Sequence, residues 1–477
     1  MGDEIPSNHF NLRDLEAFTE RLRNETQIVN DWFQNDQFAF EQKMFGYELE
    51  AWLVDQDFQP APINEQFLHE LNNSLVVPEL ASFNIELNSL PQQLGGNVFG
   101  DMERNLKQIY DQCRHQAQLL NSDLLMIGVL PTVKESDLSL KHMSNSPRYR
   151  ALNEQIFRLR HGRPLNIDIK GEEHLRTSHG DVMLEAAATS LQLHLQIPPH
   201  LATRYYNAAI ILSGSMVAAT GNAPYLFGKH LWEETRIPLF EQSVSIGGHD
   251  HSDEGDLKRV SFGTGYAKHS LMECFQENLD HFPVVLPVLY DEPPEKLAHL
   301  RLHNGTIWRW NRPLIGFDEQ GQPHLRIEHR VISAGPSMVD MVANAALFVG
   351  AIKSLVDATQ PPEEVFSFDQ AQQNFYAAAH SGLKTNLHWI DSKPTSAQEH
   401  VLNQLLPLAW AGLEQLNVHK DDIQFYLNII EQRMTTGQTG TNWQQRYTAT
   451  HGHDMRALTA AYAKQQQNGK PVHEWPV

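Results

Sequence analysis

The chain has 477 residues, with 37 lysines and arginines against 58 aspartates and glutamates and a formal charge of −21. A hydrophobic share of 41% with 20% charged residues supplies a sizeable core and excludes a mostly disordered chain. The negative balance argues against non-specific binding to nucleic acid or anionic membranes, which both need a basic face. Two cysteines, Cys113 and Cys274, exclude a disulfide framework and a cysteine-based zinc site, and fit a reducing cytoplasm. The acidic, polar start MGDEIPSNHF is not a signal peptide. No stretch reads as the roughly 18 apolar residues of a membrane span. The nearest, 206–221, is broken by Asn207, Ser213 and Ser215 and reads as a buried helix. The expectation is a cytoplasmic protein with no nucleic-acid or membrane partner, open to homo-oligomer assembly.

In chain order, residues 12–35 read as an amphipathic helix with Leu15, Phe18, Leu22 and Ile28 at near-helical spacing. A strand follows at 45–54, a helix at 102–121 and a buried strand at 123–130. Helices are predicted at 148–161 and 201–220, and a polar loop at 247–258. Strand-like stretches appear at 283–289, 305–312 and 324–332. Ser337 caps a helix over 338–357, just after Gly335-Pro336. From Gln360-Pro361-Pro362 onward the chain reads as helices and loops. The expected division is a mixed α/β part, 1–357, and a helical C-terminal part, 358–477, packed on it.

Side chains alternate across a strand with period two. Four segments show one apolar and one polar face. Glu48 and Glu50 oppose Tyr47, Leu49 and Ala51. Asn84, Glu86 and Asn88 oppose Phe83, Ile85 and Leu87. Ser190, Gln192, His194 and Gln196 oppose Leu191, Leu193, Leu195 and Ile197. Arg326, Glu328 and Arg330 oppose Leu325, Ile327 and Val331. A half-solvated antiparallel sheet is one explanation. However, lysine is absent from all four polar faces while glutamate recurs, and clustered carboxylates repel unless cations neutralise them. Oxygen-rich ligands with a single histidine suit Mg²⁺ or Mn²⁺ better than zinc. The arginines would then serve a phosphate or carboxylate beside the metals. No P-loop is present, and GTGYAK (263–268) and LGGNVFG (94–100) read as turns and loops.

Other motifs carry less. His249, Asp250, His251, Asp253 and Asp256 read as an acidic solvated loop rather than a metal site. His451 and His453 precede a helix start capped near Asp454. Both cysteines read as packing residues. Trp308 and Trp310 flank Arg309, as an adenine platform or as core.

The segments GYELEAWLVD, ELASFNIELNSLP, LQLHLQIP and LRIEHRVISAGPSMVD, in this order, resemble the glutamate–cysteine ligase family of the glutamine synthetase-like superfamily. The stretch GNAPYLFGKHLWEETRIPLFEQ is similar to that family's Asn-Ser-Pro segment, with Asn222-Ala223-Pro224 in its place. The resemblance covers about residues 40–357. It implies a glutamine synthetase-like catalytic fold of α/β (α+β) type: a curved, mainly antiparallel sheet, polar on its concave face and packed on long helices. It implies that Glu48 and Glu50 serve two different metal ions, with Glu79 and Glu86 completing one site and His194 and Glu328 the other. It implies Arg330 as the arginine on the transferred phosphoryl group and Gln196, Arg309 and Arg312 beside ATP. Arg236 is implied near substrate. The run Arg330-Val331-Ile332-Ser333-Ala334 lacks the family's Asp, which bears on the substrates and not on the metal set.

The implied chemistry is ATP- and Mg²⁺-dependent formation of an acyl phosphate, with glutamate as donor, followed by attack of an amine. Cysteine as acceptor would place the enzyme in glutathione biosynthesis. The alternatives are another amino acid or a polyamine as acceptor, a metal-dependent phosphohydrolase, or an inactive scaffold.

Overall fold

The computed structural model describes residues 10–40, 43–246, 258–390 and 393–477. The acidic segment with His249 and His251 lies outside the described residues. Sixteen strands and sixteen helices among the described residues are numbered in chain order where they matter.

The alternating segments become the central strands. They are β1 (Met44–Val54), β2 (Val76–Pro78), β3 (Asn84–Asn88), β4 (Gln92–Gln93), β5 (Asp123–Leu125) and, after the hairpin β6 (Leu165–Lys170) and β7 (His174–His179), β8 (Ser190–Ile197). Short pairs follow, β9 (Tyr225–Leu226) with β10 (Lys229–His230) and β11 (Val260–Ser261) with β12 (Trp308–Arg309). β13 (Asn311–Phe317) and β14 (Pro323–Ser333) complete a curved antiparallel sheet of order β13-β14-β8-β1-β3-β2, with β4 and β5 also on β1. Register sets the polar face. Glu50 lies opposite Glu86, Glu48 opposite Gln192, His194 opposite Glu328, and Glu328 opposite Arg312. A one-residue slip would turn every one of these side chains into the core.

The apolar face rests on helices. α1 (Leu12–Gln34) and α2 (Asn64–Leu71) precede α3 (Val98–Leu119), whose Phe99 meets Phe45 edge-on at 6.3 Å. After α4 (Pro147–Leu159), α5 (Ala202–Thr220) runs behind β13, and its Ser213 Oγ accepts from Asn311 Nδ2 at 2.8 Å. α6 (Arg236–Ser243), α7 (Met272–His281) and α8 (Ala298–Asn304) flank the sheet's open side, and α9 (Met338–Asp357) stacks Phe348 on His329 at 4.0 Å. Ser337 caps α9 by accepting from the Asp340 N–H, as the sequence predicts. Among the described residues α9, rather than 206–221, is the helix long and apolar enough to cross a membrane; 89% of its most apolar window is buried in the core.

The C-terminal helices share that core. α11 (Phe368–Ser381) lies on α5, and α13 (Leu406–Gln415) and α14 (Lys420–Thr436) lie on α9. α9 and α13 touch through glycines. A Cβ added at Gly412 would stand 1.9 Å from Gly350 O, so only glycine permits this approach. Arg433 of α14 makes a buried ion pair with Asp340 at 2.8 Å. Asp454 caps α16 (Met455–Gln467), as read from the sequence.

Two predicted strands are corrected. The 123–130 strand stops at Leu125, because α16 takes over the next backbone groups: Gln466 Oε1 accepts from Met126 N, and Tyr462 and Gln466 donate to Met126 O. Residues 283–289 form no strand, since Pro283 and Pro287 offer no ladder N–H.

Candidate active site

The sheet's polar face floors a cavity of about 290 Å³. Two clusters of three potential ligands stand at that floor, five of the six residues lining the cavity and Glu86 lying just beneath it, fully buried. In each of them one ligand atom per residue lies within 4.8 Å of the others. Glu48, His194 and Glu328 form one cluster, and Glu50, Glu79 and Glu86 form the other. Alternation explains the split: Glu48 and Glu50 are neighbours on one face of β1, and each faces a different set of strands.

The first cluster is compensated by cations. His194 Nε2 lies 3.2 Å from Glu48 Oε1 and 3.8 Å from Glu328 Oε1. Arg312 donates to both oxygens of Glu328 at 2.8 Å, and Arg330 Nη1 lies 3.2 Å from Glu328 Oε2. Burial opposes ionisation of Glu328, but Arg312, Arg330 and His194 outweigh it and hold the carboxyl at about 2. Burial likewise opposes Glu48, and the charge and hydrogen bond of His194 pull it below the usual carboxylate range.

The second cluster is crowded with like charge. Glu50 accepts from Ser190 N at 2.6 Å and from Gln192 Nε2 at 2.8 Å. Burial nevertheless pushes it up to about 7, with Glu86 adding to the push and Arg330 resisting. Burial, then the charges of Glu86 and Glu50, push Glu79 well above the usual range. Burial and Glu48 push Glu86 in the same direction, although Asn88 donates to it at 2.9 Å. Such a trio is at ease only when protonated or when a cation sits among its oxygens. The first cluster supplies a parallel observation: His194 Nδ1 is buried with no hydrogen-bond partner among the described residues. Both clusters therefore fit hard divalent cations.

Beyond the floor, Phe275, Trp308, Leu300, Leu302, Leu314 and Ile315 line an apolar wing, rimmed by Asn304 and Tyr290. α1 braces this wall. Glu25 accepts from Leu300 N at 2.7 Å and meets His299 Nδ1 at 2.5 Å, while Phe18 packs edge-on against His299. Arg326 lines the cavity with its Nε enclosed and without a hydrogen-bond partner among the described residues.

The sequence-predicted residues do not all converge. Arg312 and Arg330 line the cavity. Arg309 is three positions from Arg312 and emerges on the opposite side, where it donates to Asn278 Oδ1 at 2.6 Å, pairs with Glu277 and covers Phe282. Gln196 lies opposite Arg326 but is not part of the cavity wall. Arg236 is buried behind the floor, donating to Val331 O at 2.6 Å and lying over Trp310. The tryptophans divide: Trp308 lines the wing, while Trp310 is core and donates to Glu241. Sequence reasoning missed Arg148 and Glu185, which also line the cavity. Arg326 sits two residues before Glu328 on the same face and was legible by period. Glu185 lies on a single 3₁₀ turn, Met183–Ala187, which has no periodic signal.

The chain matches glutamate–cysteine ligase family 2 over residues 44–464. It belongs to the glutamate–cysteine ligase family. None of the curated proteins matches it significantly. Among solved structures, a glutamate–cysteine ligase from Francisella tularensis in complex with AMP superposes with a TM-score of 0.58 at 13% identity, covering 92% of this chain and 91% of that one. A bifunctional glutathione synthetase from Pasteurella multocida gives a TM-score of 0.57 at 12% identity, with 93% of this chain spanning about half, 54%, of the other. At these identities the likeness establishes the shared fold. The family match runs across the Pro361-Pro362 pair and includes the helices on α5 and α9, but it begins after α1.

Proposed function

We propose that this protein is an ATP- and Mg²⁺-dependent carboxylate–amine ligase, with glutamate as donor and cysteine or another amine as acceptor. The observation that carries the reading is the pair of three-ligand clusters on the floor of one cavity with an apolar wing. Glu48, His194 and Glu328 would hold one ion and Glu50, Glu79 and Glu86 the other. Ions bound there neutralise the phosphates and the charge that develops during transfer. The AMP carried by the Francisella tularensis ligase supports nucleotide use by this fold.

The chain's own residues do the rest. Trp308 and Phe275 offer aromatic surface to an adenine. Arg312 fixes the plane of Glu328 through two parallel bonds, and so orients a ligand oxygen. Arg330 and Arg326 present fixed positive charge where the phosphoryl group passes. In the first step a carboxylate oxygen attacks the γ-phosphorus, the bond to the bridging oxygen breaks and ADP leaves. In the second an amine nitrogen attacks the acyl carbon and the carbon–oxygen bond to phosphate breaks. Phosphate departs, the nitrogen sheds its surplus protons and an amide remains.

The test is ADP release from purified protein with Mg-ATP, L-glutamate and a panel of amines that includes L-cysteine. Stimulation by cysteine alone identifies a ligase of glutathione synthesis. Stimulation by another amine keeps the ligase and names its acceptor. ATP hydrolysis indifferent to every amine and carboxylate would mean a phosphohydrolase.

A further inference from the structure

The carboxylates on the cavity floor are matched with partners, with one exception. Glu48 meets His194, Glu50 is held by Ser190 and Gln192, Glu86 by Asn88, and Glu328 by two arginines. Glu79 accepts from Leu80 N at 3.3 Å and shares the second cluster. The Glu185 side chain makes no hydrogen bond or ion pair among the described residues, and it belongs to neither cluster.

Its position is built. Met183, Leu184, Ala186 and Ala187 are all buried and anchor the 3₁₀ turn in the core. Asn153 accepts from Val182 N and Asp181 from Met183 N, both at 3.1 Å, fixing the entry to the turn. Glu185 is the one member of the turn directed at the cavity. It also borders a closed chamber of about 10 Å³ with Glu50, Arg236, Trp310 and Arg330. That chamber holds about one water and no substrate, so a ligand group must reach Glu185 from the main cavity. Tyr149, Leu152 and Val244 line the same cavity and belong to neither the triads nor the apolar wing.

Glu185 is half-buried, and Arg330 is near enough to favour its charged form without forming an ion pair with it, so a carboxylate in this setting gains from a cation that does pair with it. Burial, followed by the charge of Glu50, pushes Glu185 up to about 8 against the opposing charge of Arg330. ATP carries no cationic group, and the six presumed metal ligands already form complete threesomes. An amino-acid substrate does bring a primary ammonium. We propose that Glu185 binds the ammonium group of an amino-acid substrate and so selects amino acids over plain carboxylic acids or thiols. This rests on the ligase reading. The ammonium belongs either to the donor or to the acceptor, and the experiment separates the two.

Glu185→Gln keeps the shape and removes the charge. Steady-state kinetics should show KM for one amino-acid substrate rising about tenfold or more, the loss expected for a charge-assisted contact. KM for ATP and Mn²⁺ binding should stay within about twofold of wild type by the same scale. A rise for L-glutamate assigns the donor, and a rise for the amine assigns the acceptor. Unchanged values for both overturn the proposal and leave the ligase reading standing. Should no amine stimulate the wild type, the ligase reading falls alone, and ligand-induced thermal shifts decide. In wild-type protein with Mn²⁺, L-glutamate should stabilise more than glutarate, or L-cysteine more than 3-mercaptopropionate. The difference should vanish in Glu185→Gln. If neither pair separates in wild type, the proposal is overturned without recourse to a variant.

Discussion

Glu328 and Glu86 are almost equally buried, at 1% and 0% exposure, on the same face of the same sheet. Glu328 is met by two guanidinium groups and an imidazole, whereas Glu86 is met by an amide and two further carboxylates. The first cluster is ready to stay ionised on its own. The second is complete only with a cation from outside. Glu48 and Glu50, neighbours on one face of β1, thus enter opposite electrostatic settings, and the setting rather than the residue type decides what each cluster needs.

The largest test of this contrast is catalytic. Glu86→Gln and Glu328→Ala should each lower turnover by about a thousandfold or more, since each removes an anchor for charge stabilisation. Activity near wild type in either variant would remove that residue from the site. Stability should then separate the two clusters. Glu328→Ala strands Arg312 and Arg330 without their carboxylate and should cost about 3 kcal/mol in urea unfolding. Glu79→Gln relieves repulsion and should leave the metal-free protein equally stable or more so. Equal destabilisation by both would erase the distinction.

Arg330→Lys comes next, with turnover down about a hundredfold: Arg330 Nη1 donates to both Gln192 and Glu328, which leaves the other guanidinium nitrogens for a phosphoryl group, and an ammonium on a flexible stem does not reproduce that planar array. An unchanged rate would move the phosphoryl contact elsewhere.

The smallest effect is on the pH profile of stability. Glu50 and Glu185 rise from 4.5 to about 7 and 8 on folding. Below 4.5 they are protonated folded or unfolded and their contribution is fully present. It is lost as pH rises through 7 and 8, so the metal-free fold should weaken over that window. Glu328, lowered from 4.5 to about 2, works the other way. Its contribution is present above 4.5 and lost as pH falls towards 2. Added Mg²⁺ should flatten the neutral limb, with the shift in Tm growing between about pH 6 and 8. A Mg²⁺ effect independent of pH would contradict the assignment of the second cluster.

Much of this was legible because period two is a strong signal. β1, β3, β8 and β14 carried their polar and apolar faces openly, and five of the six clustered side chains sit on those strands, whereas Glu79, just after β2, came only from the family resemblance. The same rule read more strictly would have parted Arg309 from Arg312, since an odd spacing puts them on opposite sides. What stayed hidden had no period to reveal it. Glu185 sits on a single turn placed by its buried neighbours. The strand at 123–130 was cut short by α16, whose Gln466 comes 340 residues after Met126. Residues 283–289 are an apolar run that resembles a strand by composition, and only Pro283 and Pro287 within it speak against one.

That distance has a counterpart at the other end of the chain. Glu25 of α1 bonds Leu300 N, 275 residues later, and through it steadies the wall of the apolar wing. During synthesis α1 is made well before its docking surface, which emerges only some 275 residues later. The Met126 contact to α16 waits longer still. Closing such long loops must precede the contacts that reward it. The cavity is therefore a late product of folding, and a nascent chain holds an unpaired α1 face until then, the kind of surface that chaperones meet.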